Sequence, residues 1–353
     1  MKPQNDSKVA GTDETGEIID TLGRPMHDLR ISVLDQCNFR CPYCMPAAKY
    51  HSEYEFLKKQ QRLTYDEIMR VATAASELGV SKIRLTGGEP LLDRNIAKLV
   101  QKLALLPDLT DLALTTNGML LAPVAADLAA AGLHRVTVSL DSLDEAVFHT
   151  MSGGRGELGT VLDGISAAED AGLGPVKINA VVQKGINDHT VLDLLAHFRG
   201  TRTIVRLIEF MDVGNRNGWR MDQVVPSREL LAAVSARWPV EAVGKNYPGE
   251  VARRYKYQDG AGEIGFISSV TEPFCGDCSR ARLSADGKLY TCLFASQGTD
   301  LRASLRNGAD DREIRDILSR TWLRRSDRYS ELRRPGPVEH HVLRKVEMYR
   351  MGG

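Results

Sequence analysis

The chain has 353 residues, 42% of them hydrophobic and 26% charged, which is ordinary for a globular protein with one large core or two domains. Lys plus Arg and Asp plus Glu number 46 each, so the formal net charge is zero, which argues against nonspecific binding to nucleic acid or to an anionic membrane. No window approaches the roughly 20 apolar residues of a membrane span, and the first 20 residues lack the apolar core of a secretory signal, so a cytoplasmic location is expected.

In chain order, residues 1–26 read as a flexible N-terminal extension with no assignable function. Leu29–Asp35 supplies a first strand. Directly after it stands Cys37-Asn38-Phe39-Arg40-Cys41-Pro42-Tyr43-Cys44, three thiols spaced C-x3-C-x2-C. Three thiolates can hold three irons of a four-iron, four-sulfur cluster and leave the fourth without a protein ligand. An open metal position is the mark of a catalytic site. On this loop alone, a zinc knuckle completed by His51 fits as well.

A helix–glycine–strand unit then recurs. Tyr65–Leu78, Gly79 and Lys82–Pro90 form one copy. Pro123–Ala131, Gly132 and Arg135–Asp141 form another, and Val161–Ala171, Gly172 and Val176–Val182 a third. The glycines stand where helices stop. Leu112–Gly118 and Thr203–Met211 read as further strands. Six strands separated by helices imply a parallel sheet, because parallel neighbours need long crossovers. Short strands with polar C-terminal ends suit an incomplete (β/α)6 barrel with its chemistry at those ends.

After about residue 240 the pattern breaks, and 241–353 reads as a smaller C-terminal domain. It holds the strand Glu263–Val270 and a second set, Cys275-x2-Cys278-x13-Cys292. Arg280–Ser284 and Lys288–Leu293 flank an Asp286-Gly287 turn and read as a hairpin, and Asp311–Leu323 reads as a helix. All six cysteines fall in these two sets of three. That favours metal in a reducing compartment over disulfides. A four-thiol zinc ribbon lacks its fourth cysteine, and the nearest histidines, His340 and His341, are far along the chain.

Two further strings matter. Thr86-Gly87-Gly88-Glu89-Pro90 follows a strand directly, and glycines there let backbone approach a ligand closely. Arg280 and Arg282 share one face of their strand beside the second cysteine set, a place for an anion clamp.

The cysteine loop followed by Gly-Gly-Glu-Pro resembles the radical S-adenosylmethionine (radical SAM) superfamily over roughly residues 27–235, within a partial-barrel domain expected over 27–240. Adding the second cysteine set, Cys278-Ser279-Arg280-Ala281-Arg282-Leu283, Thr115-Thr116-Asn117-Gly118, Ser139-Leu140-Asp141-Ser142 and a terminal Gly352-Gly353, the chain resembles the GTP 3',8-cyclase family from about residue 27 to its end. The resemblance implies two [4Fe-4S] clusters, on Cys37, Cys41 and Cys44 and on Cys275, Cys278 and Cys292. It places S-adenosyl-L-methionine on Tyr43, Gly88, Ser139 and Met211. It places GTP on Arg30, Arg84, Thr115, Lys177, Arg280, Ala281 and Arg282. Gly352 and Gly353 are expected to enter the active site with Arg280 and Arg282. Family tails commonly carry isoleucine before the glycine pair, where this chain has Met351.

The implied activity is the first step of molybdenum cofactor biosynthesis, with an external electron donor, a homodimer, and the product passing to cyclic pyranopterin monophosphate synthase. Another radical SAM enzyme with an auxiliary cluster, such as a peptide modifier, and a non-enzymatic zinc module are the alternatives.

Overall fold

The computed structural model describes residues 11, 17–247, 249–333 and 344–352. Among these, twelve strands form one sheet. In chain order they are β1 (Asp28–Ser32), β2 (Lys82–Thr86), β3 (Asp111–Thr116), β4 (Arg135–Ser139), β5 (Lys177–Val182), β6 (Ile204–Glu209), β7 (Val240–Val243), β8 (Arg253–Tyr257), β9 (Glu263–Ile267), β10 (Arg280–Leu283), β11 (Lys288–Tyr290) and β12 (Thr299–Asp300). The spatial order is β12-β11-β10-β1-β2-β3-β4-β5-β6-β9-β8-β7. Strands β1 to β6 are parallel neighbours in sequence order, as the helix–strand repeat predicts. β10 adds to β1 in parallel, and β9 adds to β6 in parallel. The C-terminal third therefore extends both edges of the sheet begun by the N-terminal two thirds.

Side-chain alternation sorts the two faces. Leu29, Ile31, Ile83, Leu85, Leu112, Leu114, Val136 and Val138 are buried in the apolar core. Helices such as Tyr65–Ser76, Ile96–Leu103 and Leu158–Asp170 pack there through Val71, Leu99 and Val161. The alternate positions, among them Arg30, Thr86, Thr115, Ser139, Asn179, Arg280 and Arg282, line one cavity of about 270 Å³. Strands β9 and β6 contribute Ile267 and Ile208 to the same cavity. Eight parallel strands thus each place alternate side chains on one cavity, the arrangement of an incomplete barrel.

The predicted hairpin forms, with Arg282 opposite Tyr290 and Leu283 opposite Leu289. The helix Asp311–Leu323 has its predicted bounds, and Asp310 and Glu313 close a capping box at its start. The polar composition places residues 17–26 in a flexible extension, but they are packed. Ile18, Asp20, Arg24 and Met26 are buried. The Arg24 guanidinium donates to the carbonyls of Cys275 at 2.7 Å and Asp327 at 2.9 Å. An arginine bound to two carbonyls holds this stretch where its apolar content alone would not. Residues 1–10 and 12–16 lie outside the described residues.

Candidate active site

The loop after β1 carries Cys37, Cys41 and Cys44 to one wall of the cavity, and Cys275, Cys278 and Cys292 stand on another. No cysteine is in a disulfide. Burial raises the Cys37 thiol to about 11 and lifts Cys41 and Cys44 as well. Burial also acts on Cys278, but the guanidiniums of Arg280 and Arg325 outweigh it and bring that thiol down to about 6. Among the described residues no three His, Cys, Asp or Glu converge as a single metal ion would need. A four-iron cluster asks for something different, since each thiolate holds its own iron. His51 is exposed and does not line the cavity, while His340 and His341 lie outside the described residues.

Backbone contact sets the first cysteine loop against β2. A Cβ added at Gly88 would lie 2.0 Å from the carbonyl oxygen of Gln36, so only glycine permits this approach. The Gly88 amide donates to Leu34 O at 2.8 Å, and that of Glu89 to Gln36 O at 2.7 Å. Glu89 is buried, which raises its carboxyl to about 7, and it accepts from Thr116 Oγ1 and Asn117 N, each at 2.7 Å. The Asn117 amide in turn donates to Asn38 at 2.7 Å and approaches Cys37 Sγ at 3.9 Å. The Tyr43 phenol donates to Asp141 at 2.8 Å, fixing the aromatic ring of the loop against the end of β4. Tyr43, Gly88, Ser139 and Met211 all line this cavity.

A second, smaller cavity shares Arg30, Val251 and Arg280 with the first. Arg84, Lys177 and Arg206 line it, together with Lys82 and Arg135. The last two are compensated: Lys82 pairs with Asp28 and Asp111 at 3.5 and 3.3 Å, and Arg135 with Asp111 at 2.6 Å. Among the described residues, Arg84 donates only to the hydroxyls of Thr115 and Thr137, both at 2.9 Å. The Nε atoms of Arg206 and Arg280 are buried without a partner among the described residues. Burial and the cations around it lower Lys177 to about 7. Asp28 and Glu250 also line this chamber but do not match its seven cations, and partly buried cations short of counter-charges favour a bound anion.

The sequence-predicted residues thus separate by role. Arg30, Arg84 and Lys177 meet in the cationic chamber, with Thr115 bound to Arg84. Ala281 points the other way, into the apolar core. Arg282 donates to the carbonyl of Gly352, and Gly353 lies outside the described residues. Met351, in the place of the usual isoleucine, is fully buried. Arg206 escaped the sequence reading because its strand neighbours of equal parity, Ile204 and Ile208, are apolar. Arg24 and Arg325, which hold the second cysteine loop through the carbonyls of Cys275 and Cys278, had no sequence signal at all.

Comparisons with known proteins agree with this geometry. The family described as Radical SAM superfamily matches residues 31–198, and Molybdenum Cofactor Synthesis C matches 203–331. A crystal structure of Streptococcus suis SuiB bound to S-adenosylmethionine shares the fold, with a TM-score of 0.56 and 14% identity over 85% of this chain and 68% of that one. A GTP 3',8-cyclase of Xanthomonas axonopodis pv. citri is 53% identical, covering 96% of this chain and 100% of that one. One of Acidothermus cellulolyticus is 50% identical over 96% of this chain and 100% of its own. One of Staphylococcus epidermidis is 44% identical over 95% of this chain and 99% of its own. With two facing cysteine triads, a cationic chamber and near full-length identity to such enzymes, the chain belongs to the GTP 3',8-cyclase family of the radical SAM superfamily.

Proposed function

We propose that the chain cyclises GTP to (8S)-3',8-cyclo-7,8-dihydroguanosine 5'-triphosphate, the first step of molybdenum cofactor biosynthesis, and that its two adjoining cavities divide the work. The observation that carries this reading is a cavity lined by two cysteine triads that shares Arg30, Val251 and Arg280 with an adjoining chamber where cations outnumber carboxylates. A nucleoside triphosphate has that shape of charge: a neutral base and ribose at one end and about four negative charges at the other.

In this reading Cys37, Cys41 and Cys44 hold the cluster that meets S-adenosylmethionine, and Cys275, Cys278 and Cys292 hold a second one that meets the guanine base. Bound there, the first cluster and S-adenosylmethionine would supply one-electron chemistry able to remove the ribose 3' hydrogen of GTP so that C3' can bond to guanine C8, with one electron from the external donor and one proton completing the dihydro product. Tyr43, Gly88, Ser139 and Met211 orient the cofactor. Arg30, Arg84, Lys177 and Arg206 take the triphosphate, with Thr115 keeping the Arg84 guanidinium turned toward it. Arg280 balances charge beside Cys278. Arg282 holds Gly352, so that Gly352 and Gly353 close the cavity against water and oxygen, which a primary radical would otherwise meet.

The division into 27–240 as catalytic partial barrel and 241–353 as auxiliary-cluster unit belongs to the same proposal. So do an external one-electron donor, a cytoplasmic homodimer and delivery of the product to cyclic pyranopterin monophosphate synthase. No helix among the described residues is long and apolar enough to cross a membrane.

The test is anaerobic incubation with GTP, S-adenosylmethionine and reductant, followed by mass analysis. The 3',8-cyclised triphosphate and 5'-deoxyadenosine should appear together. Cleavage of S-adenosylmethionine with GTP untouched would favour a peptide modifier, and stoichiometric zinc without iron would end the radical reading.

A further inference from the structure

Asp212 directly follows Met211 beyond the end of β6, and it is buried. Its carboxylate collects charge from two stretches of chain. The Tyr329 phenol donates to Oδ2 at 2.6 Å, and Arg333 pairs with Oδ1 at 2.8 Å. Lys345 Nζ donates to Oδ2 at 2.8 Å and to the Asp212 carbonyl at 2.7 Å. The Asp212 and Lys345 side chains are each only 10% exposed.

The same cluster reaches the second cysteine set. Phe294, two residues after Cys292, stacks on Tyr329 with ring centroids 4.3 Å apart, and Lys345 lies 5.4 Å from the Phe294 centroid. From Lys345 the chain runs straight into the active site. Val346 N–H donates to Ala295 O at 2.8 Å. Tyr349 packs edge-on against Tyr50 at 5.1 Å and shares a 2.7 Å hydrogen bond with Tyr54. Gly352 then meets Arg282.

This segment cannot hold its own shape. Its helix, Met348–Met351, is one turn long, and an isolated turn is far below the length at which a helix is stable. Its position comes from contacts with the rest of the fold. Its other ion pair among the described residues, Glu347 with Arg216, is long at 3.8 Å and leaves Arg216 41% exposed. A surface pair of that kind contributes little, whereas breaking a buried pair strands an uncompensated charge.

We propose that Asp212 is the latch of the C-terminal segment: a positioning residue that, through Lys345, fixes where residues 346–352 enter the cavity. It ties together the S-adenosylmethionine side at Met211, the second cysteine loop at Phe294 and the tail. The proposal rests on the reading of the tail as part of the active site.

The experiment is hydrogen exchange of peptides covering 344–352, on anaerobically prepared protein carrying both clusters. The variants are Asp212→Asn, Lys345→Met and the two combined. Lys345→Met changes only the tail side and keeps an unbranched stem, so it serves should Asp212→Asn fold poorly. Exchange at 346–352 should be about tenfold faster or more in each variant. The double variant should be no faster than the worse single one, because one interaction is being removed twice. Iron content and GTP affinity should hold while turnover falls, a split that general destabilisation would not give. Unchanged protection of 346–352 in the single variants overturns the latch whatever turnover does. Lost protection with full turnover keeps the latch and instead removes the tail from the chemistry.

Discussion

The guanidinium of Arg282 donates to the backbone carbonyl of Gly352, 70 positions further along the chain. One arginine of the predicted anion clamp thus spends a hydrogen bond on the protein's own backbone. Gly352 has φ +73°, and a Cβ there would lie 2.1 Å from Thr86 Cγ2.

Gly352→Ala should therefore displace the tail without touching the core. The added methyl meets a buried threonine at the end of β2, and alanine disfavours the positive φ. Product formation should collapse, while iron content and melting temperature stay close to those of the parent. A chain ending at Met351 should behave alike, since terminal glycines bury almost no apolar area. Full turnover in both variants would show the tail to be idle.

Arg206→Met separates binding from folding. Charge-assisted phosphate contacts are worth about 1.5–3 kcal/mol, so GTP should bind about ten- to a hundredfold more weakly. Without ligand, Arg206 is a half-buried cation among Arg84 and Lys177, with its Nε buried and unpaired among the described residues. Replacing it by an apolar side chain should leave the GTP-free melting temperature unchanged or raise it. Thermal melts with and without GTP check both signs, and a GTP-free protein that melts much earlier would mean that Arg206 serves the fold.

Much of this was legible in the sequence because it is local. Leu29 and Ile31 alternate with Arg30, and Ile83 and Leu85 with Arg84, so the strands, their parity and the inward cations could be read directly. Cysteine spacing singled out the two triads that line one cavity. What escaped was non-local. Nothing near Ile264 says that it will stand beside Val205 on β6, and nothing near Arg280 says that it will stand beside Asp28 on β1. Arg24 sits in a polar stretch that composition assigns to a loose extension, and only the carbonyl of Cys275 explains its burial.

Lys177 gives the binding reaction a pH dependence. Burial, with Arg206, Arg135, Arg84 and Lys82 nearby, lowers its ammonium from the usual lysine range to about 7. A bound polyphosphate favours the charged form and raises that value again. Above pH 7 the complex therefore holds more protons than the free protein, so GTP affinity should fall as pH rises through this window. Calorimetry in two buffers of different ionisation enthalpy should show proton uptake on binding. Lys177→Met should abolish it, and identical heats for the parent in both buffers would refute the assignment.

Glu209 supports the site without facing it. It ends β6 two residues before Met211 and is fully buried. Its carboxylate accepts from Ser227 N at 2.9 Å and Ser227 Oγ at 3.0 Å. It also accepts from Val270 N at 2.8 Å and Thr271 N at 2.9 Å. It thereby ties β6 to the start of the helix Ser227–Arg237, which has no side-chain cap of its own, and to the turn after β9. An anion there also suits the positive end of that helix. Glu209→Gln keeps the volume but turns one acceptor into a donor facing N–H groups, and removes the charge. It should cost about 2–4 kcal/mol of stability, read as an earlier denaturation midpoint of the cluster-loaded protein. Because Glu209 does not line the cavity, cleavage of S-adenosylmethionine well below that midpoint should persist, with the cofactor bound more weakly as Met211 shifts. An unchanged midpoint would mean that β6 and β9 are held together by their ladder and apolar packing alone, and the carboxylate would then need another explanation for its burial.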